Sequence, residues 1–389
     1  MTRSFTTANW NTPPFLRQSF QQVQSLFPTA RIRRNPAGGS AFATRPIDLM
    51  DIEVFVGSGA VRPVRDVLAD NNTDAFLVVR DGVIITEDYR NGMRQDSVHL
   101  INSITKSYAG MLAGILVGDG VLDTGRLVSD YLPGFSETAF AGSTVQHLLD
   151  MTAAPYFNEN YASPDADFWH EASTVGWCPH LRAADSPASL FEYALGRTEQ
   201  AHVDGTAFEY RTLLTNVLAM VIEAAGGQPV TELLETRVWQ PLGCENDASL
   251  VVDPTGFAYM GAGLSASARD LARFGDMLCN NGRANGTQIV PADWIESTLR
   301  GSDLLRAQFA AGAYADTSPG GHYHNQVWAN DGLGILVCSG IHGQLILVER
   351  ATKTVVVALS THDIPQDQAK INDLNFCAFS VASSVELPV

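Results

Sequence analysis

Lysine is scarce in this chain of 389 residues, because only Lys106, Lys353 and Lys370 among its 25 basic residues are lysines. All the others are arginines, whose guanidinium keeps its proton, whereas a lysine ammonium can be desolvated until it deprotonates near neutral pH. Lys106 lies three residues after Ser103. A composition that avoids lysine makes this lysine a candidate for chemistry.

Positive charge as a whole is also in short supply, since the formal net charge is −17. A chain with so few basic residues cannot form the positive stripe that nucleic-acid binding requires. The same excess of acidic over basic residues argues against binding to an anionic membrane surface. We therefore expect a small-molecule substrate as the partner, while a homodimer stays open.

Long hydrophobic runs are absent. No stretch approaches 18 uninterrupted apolar residues, so we expect no membrane span. The N-terminal residues lack the apolar segment of a signal peptide, which predicts a cytoplasmic protein. The five cysteines are scattered without Cys-x-x-Cys spacing, which predicts reduced thiols. We expect neither a metal ion nor a cofactor.

Two β-hairpins near opposite ends of the chain indicate one antiparallel sheet. The β-rich runs 75–80 and 83–89 flank an Asp-Gly pair, and the runs 344–348 and 354–359 flank a polar turn. A final helix is predicted over about 368–385. The predicted fold class is α+β, in which an antiparallel sheet flanked by helices is joined to a mainly helical domain.

Domain boundaries follow from the same patterns. Residues 1–60 are predicted to form an N-terminal arm. Residues 61–145 and 255–389 are predicted to form the α/β domain, and residues 146–254 the mainly helical domain. Within the helical part, residues 153–185 show no periodicity, and so long a loop in a compact chain is usually functional. We expect this loop to be a lid.

Local signals predict how individual helices begin. Ser143 is the expected N-cap of a helix over 144–151, and residues 263–274 are typical of a loop, an N-cap and an amphipathic helix. The segment after Ser103 is apolar nearly all round and rich in small residues. That composition predicts a buried helix that neighbouring backbones approach closely.

Ser103 and Lys106 could act as a nucleophile and its base. A serine hydroxyl is a poor nucleophile until a base takes its proton, and positions i and i+3 share one face of a helix. A helix beginning near Ser103 would also favour a developing oxyanion at its N-terminus, and burial would lower the pKa of Lys106. The alternative is a surface serine and lysine on an ordinary first turn.

Two further features could complete such a site. Tyr210, between a loop and a helix, is a candidate for passing the proton to the leaving group, although a single tyrosine there is more often core packing. Residues 339–344 open a strand whose backbone N–H could be a second oxyanion donor. His342 within this segment, taken alone, indicates a structural histidine.

Together these features resemble the Ser-x-x-Lys, Tyr-x-Asn or Tyr-x-Ser, and Lys-Thr-Gly-like boxes of the penicillin-recognising serine hydrolases, the superfamily of the class C β-lactamases. The resemblance covers roughly residues 70–380. Within the superfamily, the chain is similar to the 6-aminohexanoate-dimer hydrolase family, which degrades nylon oligomers. The strings that carry this similarity are Thr73-Asp74-Ala75-Phe76-Leu77-Val78, Asn158-Glu159-Asn160-Tyr161, Asp253-Pro254-Thr255-Gly256-Phe257 and Gly340-Ile341-His342-Gly343-Gln344.

The resemblance implies a serine hydrolase, an amidase or carboxylesterase, that cleaves small linear amides or esters. It implies Ser103 as the acyl-forming nucleophile, Lys106 as its base and Tyr210 as the proton shuttle. It implies oxyanion donors from the backbone N–H of Ser103 and of Ile341. It also implies that Tyr161, in the lid, hydrogen-bonds the nitrogen side of the scissile amide.

The chain departs from the family pattern at two places. The third box carries His342 instead of lysine, and the acidic lid residue of the relatives matches Ala172, which follows Glu171. We expect His342 and Glu171 to contact the substrate, together with Tyr161. The alternatives are a β-lactamase or DD-peptidase, a carboxylesterase only, and a non-catalytic binding protein, which would be expected to lose Ser103, Lys106 or Tyr210.

Overall fold

The computed structural model describes residues 5–384. Its strands are β1 (Thr29–Ile32), β2 (Ala43–Thr44), β3 (Glu53–Phe55), β4 (Val61–Pro63), β5 (Thr73–Arg80), β6 (Val83–Tyr89), β7 (Val98–Leu100), β8 (Ala248–Val251), β9 (Leu264–Ser267), β10 (Arg283–Ala284), β11 (Thr287–Gln288), β12 (His322–His324), β13 (Val327–Asn330), β14 (Ile335–Gly340), β15 (Gln344–Glu349) and β16 (Thr354–Ser360).

Helices occupy much of the remaining chain. They are α1 (Leu16–Ser19), α2 (Val64–Asp70), α3 (Ile104–Gly118), α4 (Val128–Tyr131), α5 (Val145–Leu149), α6 (Asp167–Ser173), α7 (Leu190–Leu195), α8 (Thr212–Gly226), α9 (Val230–Leu234), α10 (Ala268–Cys279), α11 (Ala292–Arg300), α12 (Asp303–Ala311) and α13 (Gln368–Ser383). The predicted final helix is therefore present as α13.

The larger sheet joins the two ends of the chain. Its eight strands follow the order β12-β13-β14-β15-β16-β5-β6-β2, and every pairing is antiparallel except β2 with β6. Both predicted hairpins, β5–β6 and β15–β16, are present, and they meet where β16 pairs with β5. The α+β fold class predicted from the sequence is confirmed.

Helices cover both faces of this sheet because side chains alternate along each strand. On β16, Val355 and Val357 join the core cluster under α10, while Val356 and Ala358 join a second cluster under α13. The first cluster continues without a break into the helices between α3 and α9. The predicted division near residues 145 and 255 stays a prediction.

A smaller sheet holds the chain just before Ser103. Its strand order is β1-β8-β9-β7, and Leu100 at the end of β7 pairs with Ser265 on β9. The prediction of a loop at the start of 263–274 is wrong, because strand β9 occupies this position. Its last residue, Ser267, is also the N-cap of α10, and the Ser267 side chain accepts from the Asp270 amide. Small residues such as those of β9 have weak strand propensity, and pairing with two neighbours overrides it.

The N-cap predicted for α5 is also wrong by one residue. Thr144, and not Ser143, caps the helix: its hydroxyl accepts from the His147 amide, while the His147 ring accepts from the Thr144 amide. Ser143 instead donates its hydroxyl to the Asp204 carboxylate. Both residues carry the hydroxyl that a cap needs, and the tertiary partner of Ser143 decides between them.

Helix α3 is buried over almost its whole length, as its composition predicts. At Gly110 the backbone of a neighbouring turn lies so close that an added Cβ would overlap the carbonyl oxygen of Asn325. A side chain of any size would push α3 out of the core. The close approach therefore keeps Ser103, which precedes α3, at a fixed depth in the protein.

No single helix within residues 5–384 has both the length and the apolar composition to cross a bilayer. The segment that comes nearest combines α8 with the helical run Val230–Trp239, but the two are bent by 82°.

All five cysteines are buried and free, in agreement with the predicted reduced thiols.

Gly110→Ala should destabilise the fold, because the new methyl group has no room beside the Asn325 carbonyl. Overpacking of this kind costs about 1–3 kcal/mol, which thermal unfolding should register as a lower Tm. The matched control is Gly134→Ala, whose Cβ would meet the Leu195 side chain at an ordinary 3.6 Å. Equal Tm values for the two variants would contradict this packing.

Candidate active site

Ser103 lies in the short turn between β7 and α3. It occupies the N-cap position of α3 and keeps 7% of its surface exposed. The turn is fixed on one side by the preceding residue, since Asn102 donates its side-chain amide to the Ile341 carbonyl at 3.0 Å. On the other side, the Thr105 hydroxyl donates to the Asn102 carbonyl and accepts from the Leu264 amide.

The Lys106 ammonium is fully buried and has three oxygen neighbours. Its Nζ lies 2.7 Å from Ser103 Oγ, 3.0 Å from Thr212 Oγ1 and 2.7 Å from the Gly261 carbonyl oxygen. It also lies over the Tyr210 ring, 5.0 Å from the centroid. The contact between Lys106 and Ser103 that the sequence predicts is therefore made.

Two of the oxygen atoms around Lys106 can only accept hydrogen bonds from it. The Gly261 carbonyl can only accept, and the Thr212 hydroxyl donates to Glu159, so its oxygen also accepts from Lys106. Two N–H groups of Lys106 thus donate to these oxygen atoms. Nζ also faces Ser103 Oγ, to which it donates when it is charged and from which it can accept when it is neutral. Burial lowers the pKa of Lys106 to about 8, against the opposing charges of Glu159 and Glu171.

Tyr210 keeps its proton at neutral pH. Burial raises the pKa of its phenol well above the usual range, with the charge of Glu159 acting in the same direction and a hydrogen bond with Ser103 opposing it. The ring stacks on Trp328 with centroids 5.2 Å apart. Tyr210 therefore stands beside the nucleophile as a neutral donor held by an aromatic neighbour.

The end of β14 brings a second backbone amide beside Ser103. A Cβ at Gly340 would lie 3.1 Å from the Ser103 nitrogen and 2.5 Å from the Ile101 carbonyl oxygen, so only glycine permits this approach. Among the described residues, neither the Ser103 N–H nor the Ile341 N–H donates a hydrogen bond. Both residues line the same cavity.

Glu159 is a site residue that the sequence reasoning missed. Its carboxylate accepts from the Tyr161 hydroxyl and the Thr212 hydroxyl, each at 2.6 Å, and from the Thr212 backbone amide. Burial raises the pKa of Glu159, and the charge of Lys106 and these hydrogen bonds oppose the rise. A carboxylate at the N-terminus of the 15-residue helix α8 is also stabilised by the helix dipole.

Tyr161 lines the cavity, but two other residues that were predicted to contact the substrate, Glu171 and His342, lie outside it. Glu171 is 1% exposed on the inner face of α6, and burial raises the pKa of its carboxyl to about 8. His342 is buried against the edge of Phe20 and contacts the His362 carbonyl through Nδ1 at 2.7 Å. Neither lines the cavity, so the structure does not bring Glu171 and His342 to it, and their contacts with substrate stay predictions.

A cavity of about 260 Å³ opens directly onto Ser103. Tyr161 and Tyr210 form part of its wall near the nucleophile, and aromatic and aliphatic side chains form most of the rest. Within residues 5–384, no group of three or more histidine, cysteine, aspartate or glutamate side chains could hold a metal ion.

A serine in contact with a buried lysine and close to a tyrosine, set between an antiparallel sheet and a helical region, is typical of the serine hydrolases that resemble penicillin-recognising enzymes. The Beta-lactamase family model matches residues 64–378, and the chain belongs to this family. It is an enzyme of the amidase and esterase type, as the following relatives show.

The chain is 33% identical over 370 residues to the 6-aminohexanoate-dimer hydrolase of Paenarthrobacter ureafaciens, covering 92% of this chain and 89% of that protein. It is 27% identical over 170 residues to Esterase EstB of Burkholderia gladioli, covering 43% and 42% of the two chains. A solved structure from Bacillus anthracis, proposed to be a 6-aminohexanoate-dimer hydrolase, superposes with a TM-score of 0.86 at 26% identity over 98% and 97% of the two chains.

The pH dependence of hydrolysis should report the charge of Lys106. Only the neutral amine can take the Ser103 proton, so kcat/KM should rise with pH through about 8, the pKa to which burial lowers Lys106. Glu159→Gln removes a negative charge that raises this pKa, and the midpoint should move to lower pH.

The measurement is a pH profile of kcat/KM on a nitrophenyl ester, read at a wavelength where nitrophenol and nitrophenolate absorb equally. Glu137→Gln, at an exposed acidic residue away from the site, is the control and should leave the midpoint unchanged. A midpoint that stays in place or rises in Glu159→Gln would refute the assigned coupling.

Proposed function

We propose that this protein hydrolyses small linear amides or esters through an acyl-enzyme on Ser103, with Lys106 as base and Tyr210 as proton shuttle. The observation that carries the proposal is the 2.7 Å contact between the buried Lys106 Nζ and Ser103 Oγ at the wall of the cavity. One relative is named for an amide dimer and another is named an esterase, which supports both bond types.

Acylation begins when neutral Lys106 takes the Ser103 hydroxyl proton as Oγ bonds to the substrate carbonyl carbon. The N–H groups of Ser103 and Ile341 stabilise the oxyanion that forms. Collapse of this intermediate breaks the C–N or C–O bond, and Tyr210 gives its proton to the departing amine or alcohol. Tyr210 then regains a proton from Lys106, so the charge of the site is restored.

Deacylation reverses these roles. Water gives a proton to neutral Lys106, either directly or through Tyr210, which passes its own proton on to Lys106, and attacks the acyl carbon. The C–Oγ bond then breaks, and Lys106 returns the proton to Ser103. The products are a carboxylic acid and the free amine or alcohol. Ser103 keeps only 7% of its surface exposed, and this limited contact with water strengthens the amide hydrogen bonds to the oxyanion.

Tyr161 gives the site a means of holding an amide. Its phenol proton is engaged by Glu159 at 2.6 Å, so the phenol oxygen is left to accept a hydrogen bond from the cavity side. Burial raises the pKa of Tyr161 well above its usual range, and the phenol stays neutral. The N–H of a scissile amide is the matching donor, and an ester has no such group.

The two other classes of function fit the site less well. A β-lactamase or DD-peptidase needs a cation for the substrate carboxylate, and no lysine or arginine lines the cavity within residues 5–384. A non-catalytic binding protein would have no need for a buried lysine held against a serine. Rapid turnover of nitrocefin would favour the first alternative over linear amides and esters.

Ser103→Ala and Lys106→Met should each lower kcat/KM on p-nitrophenyl butyrate by about 10³-fold or more, because one removes the nucleophile and the other the base. Methionine keeps the length of the lysine side chain, so the core stays filled. The control Lys353→Met, at an exposed lysine paired with Asp81, should keep full activity.

A fluorophosphonate probe followed by mass spectrometry should label the wild type and Lys353→Met once, and Ser103→Ala not at all. Full hydrolysis by purified Ser103→Ala, or labelling of that variant to the same extent, would overturn the proposal.

Tyr161→Phe should lower amide hydrolysis by about 3–10-fold more than ester hydrolysis. The lost acceptor is worth the roughly 0.5–1.5 kcal/mol of one hydrogen bond, and only an amide donates to it. The measurement compares kcat/KM for p-nitroanilide and p-nitrophenyl substrates with the same acyl group. Tyr156→Phe, at an exposed tyrosine, is the control. An equal loss on both substrates would contradict the role of Tyr161.

A further inference from the structure

The cavity beside Ser103 continues as a groove along one face of the large sheet. Its floor on β14 consists of Ser339, Val337 and Ile335, alternate residues that project from the same face of the strand. Leu347, which pairs with Val337 across to β15, widens this floor. At about 3.4 Å per residue, the run from Gly340 to Ile335 is roughly 17 Å long.

Helix α13 forms a wall of the same groove. Ile371, Asn375 and Phe379 follow one another at intervals of four residues and therefore lie on one face of the helix. Phe376, on the adjoining face, also lines the groove and is 49% exposed. The groove thus leads from the nucleophile toward a largely apolar opening beside α13.

No ionic side chain lines this groove among the described residues. Aspartate, glutamate, lysine and arginine are all missing from its lining, where the polar groups are hydroxyls, amides and one histidine. Burial lowers the pKa of that histidine, His322, so it is neutral at physiological pH. The charged groups of the site, Lys106 and Glu159, lie behind Ser103 and Tyr161 and do not line the groove.

The lining determines which substituents the groove favours. A charged group placed there would lose water without gaining an ion partner, which is costly. Each methylene that leaves water is worth up to about fourfold in binding. A volume of about 260 Å³ is close to nine times the ~30 Å³ that one water occupies in the liquid. It therefore suits a chain of medium length.

We propose that the groove binds the acyl group of the substrate and that this group is an uncharged hydrocarbon chain of medium length. The inference rests on the acyl-enzyme proposed at Ser103. The acyl side is assigned because the groove starts at the Ile341 amide that would hold the carbonyl oxygen, while the Tyr161 and Tyr210 hydroxyls serve the leaving group. A 6-aminohexanoyl group, with its terminal ammonium, does not match this lining.

The first test uses the wild-type protein and three p-nitrophenyl esters with six-carbon acyl groups: hexanoate, 6-aminohexanoate and the monoester of adipate. Their reacting bonds are alike, and their chain ends are neutral, cationic and anionic. We expect kcat/KM for hexanoate to exceed that of either charged ester by at least about tenfold. Equal values, or a preference for a charged chain end, would overturn the proposal.

Chain length identifies the side of the scissile bond that the groove holds. kcat/KM should rise at least about tenfold from p-nitrophenyl acetate to hexanoate and should change little along a series of alkyl acetates of growing alcohol length. A rise along the alcohol series alone would overturn the acyl assignment. Loss of turnover in Ser103→Ala separates these results from a failure of the proposed function itself.

Substitution of the floor provides an independent test. Val337→Asp should shift the preference among the three esters at least about tenfold toward 6-aminohexanoate, and Val337→Lys should shift it toward the adipate monoester, because each supplies the missing ion partner. Val203→Asp, at a valine that is 72% exposed away from the groove, should leave the preference of the wild type unchanged. Identical preferences in all four proteins would refute the groove as the acyl site.

Discussion

The burial of one ammonium group governs the rest of the site. Removing Lys106 Nζ from water destabilises its charged form and lowers its pKa. The neighbouring carboxylate of Glu159 stabilises the charged form and so raises the pKa part of the way back. Glu159 reaches the lysine through the Thr212 hydroxyl, so the balance depends on a helix start as well as on two charges. A lysine in water would stay protonated and could not activate serine, and a buried lysine without Glu159 would be a weaker base.

The fold brings these groups together from distant parts of the chain. Ser103 and Lys106 belong to the start of α3, Thr212 to the start of α8, and Gly261 to the turn before β9. The two amides that face the cavity come from a helix N-cap and from the end of β14, where a glycine lets the two segments meet. Each group sits where an element begins or ends, which is where backbone donors and acceptors are left over for chemistry.

Sequence reasoning succeeded where the determining interaction is local. The hairpin around the Asp-Gly pair and the contact of Ser103 with Lys106 each depend on residues a few positions apart, and the structure contains both. It failed for Glu159, whose partner Thr212 lies 53 residues further on. It also could not place Glu171 within α6, because adjacency to Ala172 does not reveal which face of this short helix points inward.

The lack of charged side chains in the groove lining also matters for the pKa of Lys106. Two unit charges 4 Å apart interact by about 4 kcal/mol at an effective dielectric constant of 20. A charged group bound beside Ser103 would therefore shift the pKa of Lys106, and one at the far end of the groove would do so much less. An ammonium would lower it and weaken the base, and a carboxylate would raise it and keep the base protonated. An uncharged acyl chain leaves the balance between burial and Glu159 undisturbed. The lining of the groove and the pKa of the lysine are therefore two parts of one electrostatic arrangement.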